Sequence, residues 1–150
     1  MIFLIDLIHN RMFVAAASGW IIAQLLKTLI HFWFNRKFVA ERLVGSGGMP
    51  SSHSATVCAL ATAAGIEYGA SSYQFAISAI FAIVVMYDAM GVRRETGIQA
   101  KVLNEMMEML THMGKEMTVE EKLKEFVGHT PLQVLVGAIL GILIAVLIYL

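Results

Sequence analysis

Four stretches of this chain carry so few charges and so much apolar surface that water is a poor solvent for them. Residues 12–34 are interrupted in their second half by Gln24, Lys27, Thr28 and His31. Residues 53–69 are alanine-rich, residues 73–88 hold an apolar run over 75–87, and residues 131–150 are the most uniformly apolar of the four. A helix that crosses a bilayer needs roughly 20 such residues, because its backbone N–H and C=O groups must be satisfied inside the segment. Composition agrees: 58% of the residues are hydrophobic and 15% charged, where a soluble domain carries about a quarter charged residues. The expected fold class is therefore all-α. It is an integral membrane helical bundle of one domain, 1–150, with about four spanning helices and a surface amphipathic helical segment. A formal net charge of +0 gives no global basic field, so nucleic acid is not an expected partner. The lone Cys58 excludes a disulfide framework and a cysteine-based zinc cluster.

The four stretches differ in how they should pack. Alanine-rich 53–69 suits a helix enclosed by other helices, since small residues let backbones approach closely. Gly137 and Gly141 form a small-xxx-small pair that serves packing inside one bundle or, alternatively, a homodimer face. Pro131 stands where a first helical turn tolerates it. Residues 1–7 are apolar but contain Asp6, and Arg11 follows the apolar stretch instead of preceding it, so no secretory signal is expected. Residues 89–130 read as a charged, largely helical excursion at the membrane surface. In it Val102, Met106, Met109, Leu110 and Met113 recur at helical spacing, most simply for packing. Thr118 followed by Glu121 resembles a capping box opening a second short helix that ends near Gly128.

Four spans put residues 35–52 and 89–130 on one side of the membrane. The termini and the turn at 70–72 fall on the other. The first side holds Arg36, Lys37, Arg42, Arg93, Arg94, Lys101, Lys115, Lys122 and Lys124, and the second holds Arg11. The positive-inside rule makes the first side cytoplasmic. A bacterial chain of this kind would reside in the plasma (inner) membrane.

Three segments on that shared side carry chemistry. Residues 45–55 combine glycines, among them Gly48, with Pro50, Ser51, Ser52 and His53 at the start of the second span. Glycines allow close backbone approach, and a helix N-terminus offers N–H groups to a phosphate. His53 in the first turn can protonate a leaving group. Residues 87–100 place Asp88, Arg93, Arg94 and Glu95 where the third span emerges. The paired arginines can clamp a phosphate, or they form ion pairs such as Arg94–Asp88 or Arg93–Glu95. Residues 128–131 put His129 at the mouth of the last span. Two histidines beside cations suit phosphoryl transfer: one attacks phosphorus, the other protonates the departing oxygen. Lys27, an ionisable residue within a span, shares a helical face with Gln24, Thr28 and His31. It points into the bundle either to hold substrate or to pair with Asp88 or Glu67.

These segments resemble the divergent PAP2 family, small relatives of the type 2 phosphatidic acid phosphatases and vanadium haloperoxidases. The likeness covers nearly the whole chain in three ordered blocks: SGGMPSSHSA at 46–55, VMYDAMGVRRETGIQA at 85–100 and GHTPLQVLVGAILG at 128–141. Against the standard phosphatases, Pro50-Ser51-Ser52-His53 is similar to their PSGH motif. That implies phosphate ligation by Ser51 and neighbouring amides, with His53 as general acid. His129, with Val134, Gly137 and Gly141, fits the motif of their nucleophilic histidine. Gln133 stands where that motif has an aspartate, and the arginine expected shortly before the histidine is absent. Arg93 or Arg94 could replace it in space. Lys27 or Lys37, with Arg42, are the candidates for the remaining motif, without its proline. Standard members work without a metal, so the resemblance implies no metal and no cofactor.

The resulting expectation is a membrane phosphatase acting on lipid or isoprenoid phosphates through a phosphohistidine. His129 would be the nucleophile and His53 the general acid. Arg42, Arg93, Arg94, Ser51, Ser52, Gly48, Lys27 and Lys37 would hold the phosphate, and Asp88, Glu95 or Gln133 would orient the nucleophile. The alternatives are a non-catalytic anion or lipid-phosphate binding or transport protein that keeps the pocket, favoured by Gln133, and a structural membrane subunit.

Overall fold

The computed structural model describes residues 2–36, 48–113, 123 and 128–150. It contains six helices among them: α1 (Ile2–His9), α2 (Arg11–Asn35), α3 (Ser52–Tyr68), α4 (Tyr73–Met90), α5 (Val92–His112) and α6 (Pro131–Tyr149). The helix starts follow local chemistry. Side-chain oxygens of Asn10, Ser51, Ser72 and Thr130 accept backbone N–H groups at the heads of α2, α3, α4 and α6, satisfying donors that have no partner within the helix. The short α1 was not marked by any signal beyond its apolarity. The starts and ends of α2, α3, α4 and α6 fall within two residues of the sequence expectation, and α5 occupies part of the helical excursion expected over 89–130.

Three helical stretches are long and apolar enough to cross a bilayer: Arg11–Asn35, Tyr73–Leu110 and Pro131–Tyr149. The fourth member of the bundle is α3, which packs against α2, α4 and α6 together. Its buried residues include Ala55, Ala59, Ala63 and Ala64, each fully shielded. Small side chains bring the axes close. A Cβ on Gly137 would run into the Ser51 carbonyl, and one on Gly141 into the Ala55 carbonyl. Gly137 and Gly141 are thus used inside the bundle, against α3. Ser51 meets Gly137, Ala55 meets Gly141, and Ala59 clusters with Ala145 and Ala15. That register makes α3 and α6 parallel. Cys58 contacts Met86 and Gly65 faces Phe75, so α4 runs antiparallel to α3, as does α2 with Gly19 against Ala55 and Ala59. The starts of α3 and α6 and the ends of α2 and α4 therefore meet at one end of the bundle, as the alternation of spans requires.

The expected packing role of the methionine stripe on α5 needs correction. Met106, Met109 and Met113 are 54%, 68% and 74% exposed. The inward arc is Gly97, Ala100 and Asn104 instead, and the Asn104 amide exchanges two hydrogen bonds with the Leu123 backbone. Periodicity shows that the methionines share a face; it does not say which medium covers that face. The expected capped helix beginning at Thr118 lies outside the described residues.

Candidate active site

The head of α3 is fastened to α6 before any chemistry is considered. Ser51 is fully buried. Its backbone N–H donates to the Gln133 carbonyl at 3.1 Å, and its Oγ accepts from the Ser54 N–H and the Ser54 hydroxyl. Gly48, two residues before the buried Pro50, has φ of 88°, a conformation that glycine takes without strain. With Ser51 as cap, the Ser52 and His53 amides have no acceptor within the helix. They give the first turn its positive end.

His129 is held from the other direction. Its N–H donates to the Ala89 carbonyl at 2.9 Å, joining the mouth of α6 to the end of α4. Gly128, at φ of 89°, sits against the backbone of Arg93 and Arg94 so closely that a Cβ would collide with it. The His129 ring is only 2% exposed. Its Nε2 lies 3.3 Å from His53 Nδ1, and its Nδ1 lies 3.4 Å from Gln133 Oε1. The two rings meet edge to face, with centroids 5.5 Å apart.

The protons on this pair follow from Gln133. The Thr130 N–H donates to Gln133 Oε1 at 3.0 Å, while the Gln133 N–H points back to Thr130 Oγ1, closing a capping box. An atom that accepts from a backbone N–H is the amide oxygen, and an oxygen cannot donate to imidazole. His129 Nδ1 therefore carries the hydrogen, and its Nε2 presents a lone pair. His53 Nδ1–H is then the donor across the 3.3 Å contact. Burial, followed by the charges of His53 and Lys27, pushes the His129 imidazole down from its ordinary 6.5 to about 4. Hydrogen bonds with Gln133 and the Gly48 backbone pull weakly the other way. At neutral pH the ring is uncharged, with its N–H toward Gln133 and a lone pair on Nε2.

Positive charge comes from two directions. Lys27 is 2% exposed. Its ammonium donates to Gln24 Oε1 at 2.7 Å and approaches Ser52 Oγ at 3.5 Å. The stripe Gln24, Lys27 and Thr28 faces inward, as its spacing indicated, with His31 half-buried. Glu67 lies at the other end of α3 and is bonded to Tyr149. Arg93 Nε donates to Asp88 Oδ2 at 2.7 Å, with both side chains roughly half-exposed. Neither anticipated ion pair, Arg94–Asp88 or Arg93–Glu95, forms: Asp88 is taken by Arg93 instead. Lys27, Arg93 and Asp88 all lie close enough to His53 to act on it electrostatically. Arg94 and Glu95 have exposed side chains in the first turn of α5; Arg94 approaches the site through its backbone, at Gly128. Lys37 and Arg42 lie outside the described residues, so the structure says nothing of their part.

The group on His129 Nδ1 is Gln133 itself. Asp88 is engaged by Arg93, and Glu95 stands in the open. Sequence reasoning treated Gln133 only as a stand-in for a missing aspartate and overlooked its capping-box role. The signal was present: Thr130-Pro131-Leu132-Gln133 has the Thr-x-x-Gln spacing. No sequence signal marks the Ala89 carbonyl that positions His129. Together the groups form a buried lone pair on nitrogen, a donor beside it, an ammonium and a guanidinium at the edge, and a helix N-terminus. That set can attack and neutralise a tetrahedral oxyanion centre.

Comparison with known proteins extends over most of the chain. The model of a family described as the divergent PAP2 family matches residues 8–144. An uncharacterized membrane protein, YuiD, from Bacillus subtilis (strain 168) is 38% identical over 152 residues, covering 95% of this chain and 96% of its own. No solved structure matches the chain.

Proposed function

Because the chain belongs to the divergent PAP2 family, we propose that it is a membrane-embedded phosphatase acting on lipid or isoprenoid phosphates through a phosphohistidine on His129. The observation that carries this reading is the part-buried His129–His53 contact of 3.3 Å, with the His129 lone pair turned toward its partner by Gln133. His129 Nε2 attacks phosphorus, and the bond from phosphorus to the lipid oxygen breaks. His53, as the imidazolium, gives that oxygen its proton and is left neutral. Water then attacks the phosphohistidine and surrenders a proton to His53, releasing inorganic phosphate and restoring His129. Lys27, the Ser51–Ser52 turn and Gly48 stabilise the equatorial oxygens, with Arg93 at the rim and Arg94 beside it. A spacing of 3.3 Å leaves no room for phosphorus, so the rings part when substrate enters and the His53 N–H exchanges His129 for the leaving oxygen.

A bilayer-resident phosphate ester fits the location. The histidines sit where the helix ends meet, so the tail remains among the helices or in lipid while the headgroup reaches the rim. The excess of Lys and Arg on this side supports a cytoplasmic site.

A second reading, a non-catalytic anion or lipid-phosphate binding or transport protein, is favoured by Gln133. An amide fixes the tautomer, but it cannot stabilise a developing imidazolium as a carboxylate does. Phosphate release from a panel of lipid and isoprenoid phosphates by the purified protein in nanodiscs separates the two. Turnover by the parent with none by His129→Ala, together with an acid-labile phosphoenzyme, is the expected result. Binding of the same lipids with no turnover by the parent overturns the phosphatase and leaves the binding protein.

A further inference from the structure

Asp88 and Arg93 meet across the break between α4 and α5. On an unbroken helix, residues five apart point about 140° away from each other. Here α4 ends at its Gly91 cap and α5 starts at Val92, and the break lets Arg93 Nε donate to Asp88 Oδ2 at 2.7 Å. Both side chains are roughly half-exposed, so solvent competition leaves the pair little net effect on stability. Its location matters more than its strength. The Ala89 carbonyl beside Asp88 accepts the His129 N–H, and the backbone of Arg93 and Arg94 lies against Gly128. One short segment, 88–94, therefore seats His129 and carries the ion pair.

The nitrogen that Asp88 takes is informative. A guanidinium has five N–H donors in a rigid plane. Asp88 occupies only the one on Nε, and the Nη groups of Arg93 have no partner among the described residues. Holding Nε fixes the direction of the Nη edge, the fork that grips two phosphate oxygens at once. The charges of Arg93 and Asp88 are both felt at the His53 ring, so the pair belongs to the surroundings of the histidines. A carboxylate there would by itself repel a phosphate; bonded to Nε, it turns a mobile cation into a fixed one. We propose that Asp88 is a positioning residue, holding the Arg93 guanidinium by Nε so that its Nη edge meets the oxygens of a phosphate ester at His53 and His129. This role deepens the reading of the histidines as a phosphate-ester site and rests on it, with or without hydrolysis.

Binding of inorganic phosphate to the full chain in nanodiscs, followed by phosphorus NMR, tests this. The variants are Asp88→Ala, Asp88→Asn, Arg93→Lys and the exchanged pair Asp88→Arg/Arg93→Asp, and thermal unfolding checks that each folds. Removing a carboxylate should on charge alone tighten phosphate binding. Positioning demands the reverse: Asp88→Ala weakens binding by about tenfold, the scale of one charge-assisted hydrogen bond. Asp88→Asn, whose amide oxygen still accepts from Nε, binds at least as well as the parent. Arg93→Lys keeps the charge without the fork and should weaken binding similarly, which keeps the test open if the alanine variant does not fold. The exchanged pair restores the clasp between α4 and α5 but moves the guanidinium to α4, so it should recover stability and not phosphate binding. Unchanged or tighter binding by Asp88→Ala, parent-like binding by Arg93→Lys, or full recovery in the exchanged pair would overturn the positioning role and leave the phosphate site standing. No phosphate binding by the parent would overturn the phosphate site and this role with it.

Discussion

Both ends of the helical bundle gather polar side chains from α2, α3 and α6, yet they use them in opposite ways. At the far end Arg11 Nη2 donates to the Ile148 carbonyl at 2.6 Å and its guanidinium lies 4.2 Å from the Tyr149 ring centre. The Tyr149 hydroxyl donates to Glu67. These groups are at the surface, each charge is met by a carbonyl, a ring or a hydroxyl, and water remains at hand. At the near end His129, Lys27 and Ser51 are 2%, 2% and 0% exposed. There a neutral imidazole faces a second imidazole beside an ammonium. Surface clasps of the first kind contribute little, because solvent competes for every group. Buried polar groups are costly unless they are hydrogen-bonded, and at the near end they bond to one another, Lys27 to Gln24 and His129 to Gln133. The near end holds its polar groups out of water, and the far end leaves them in it.

The contrast can be broken most directly by His129→Ala. On the proposed mechanism it should reduce lipid-phosphate hydrolysis by about a thousandfold or more, since loss of a covalent nucleophile would remove the pathway. Tyr149→Phe should leave hydrolysis within about twofold, because it is remote from the histidines. Phosphate-release assays on the two proteins side by side check this, and equal losses would dissolve the distinction between the ends.

Next in size is Gly141→Val. Its branched side chain must displace the Ala55 carbonyl against which α6 rests, and such overpacking costs about 3 kcal/mol. Thermal unfolding in detergent should show a fall of several degrees together with loss of anion binding, because the α3–α6 contact aligns Ser51 with Gln133.

The pH dependence of stability sharpens the contrast. His129 is held at about 4 in the fold against an ordinary 6.5. Above pH 6.5 it is neutral in both states and has no effect. As pH falls from 6.5 toward 4 the unfolded chain takes up a proton that the folded chain refuses, so stability drops. The total is about 3 kcal/mol by linkage. In His129→Asn this part of the slope should vanish, as read from unfolding midpoints across pH 4–7. A slope unchanged by the substitution would assign it elsewhere.

The smallest effect belongs to the far end. Tyr149→Phe removes one surface hydrogen bond and should shift stability by less than about 1 kcal/mol in the same unfolding assay. A larger loss would mean that the clasp carries more of the bundle than its exposure suggests.

Much of this was legible in the residues. The apolar runs gave the helices, and alanine marked α3 as the enclosed one, because a helix surrounded on several sides has no room for large side chains. The alternation of spans sent residues 53 and 129 to a common end. The stripe Gln24, Lys27 and Thr28 pointed inward, as a polar face in a span must. The methionine face of α5 was misjudged, because spacing reports which residues are neighbours and not whether protein or lipid lies opposite. The role of Gln133 was half seen. Its position beside His129 was evident, but the tautomer it imposes depends on where the Thr130 N–H points.

What the sequence alone determined was the kind of medium and the order of elements. Hydrophobic burial and backbone satisfaction in hydrocarbon leave a chain of this pattern no option but a helical bundle. Tertiary structure decided which nitrogen of His129 carries its proton, which cation pairs with Asp88, and that the glycines of α6 meet α3. Those outcomes turn on hydrogen-bond directions and contacts of a few ångströms between segments far apart in the chain. Such distances become fixed only when the helices are packed together.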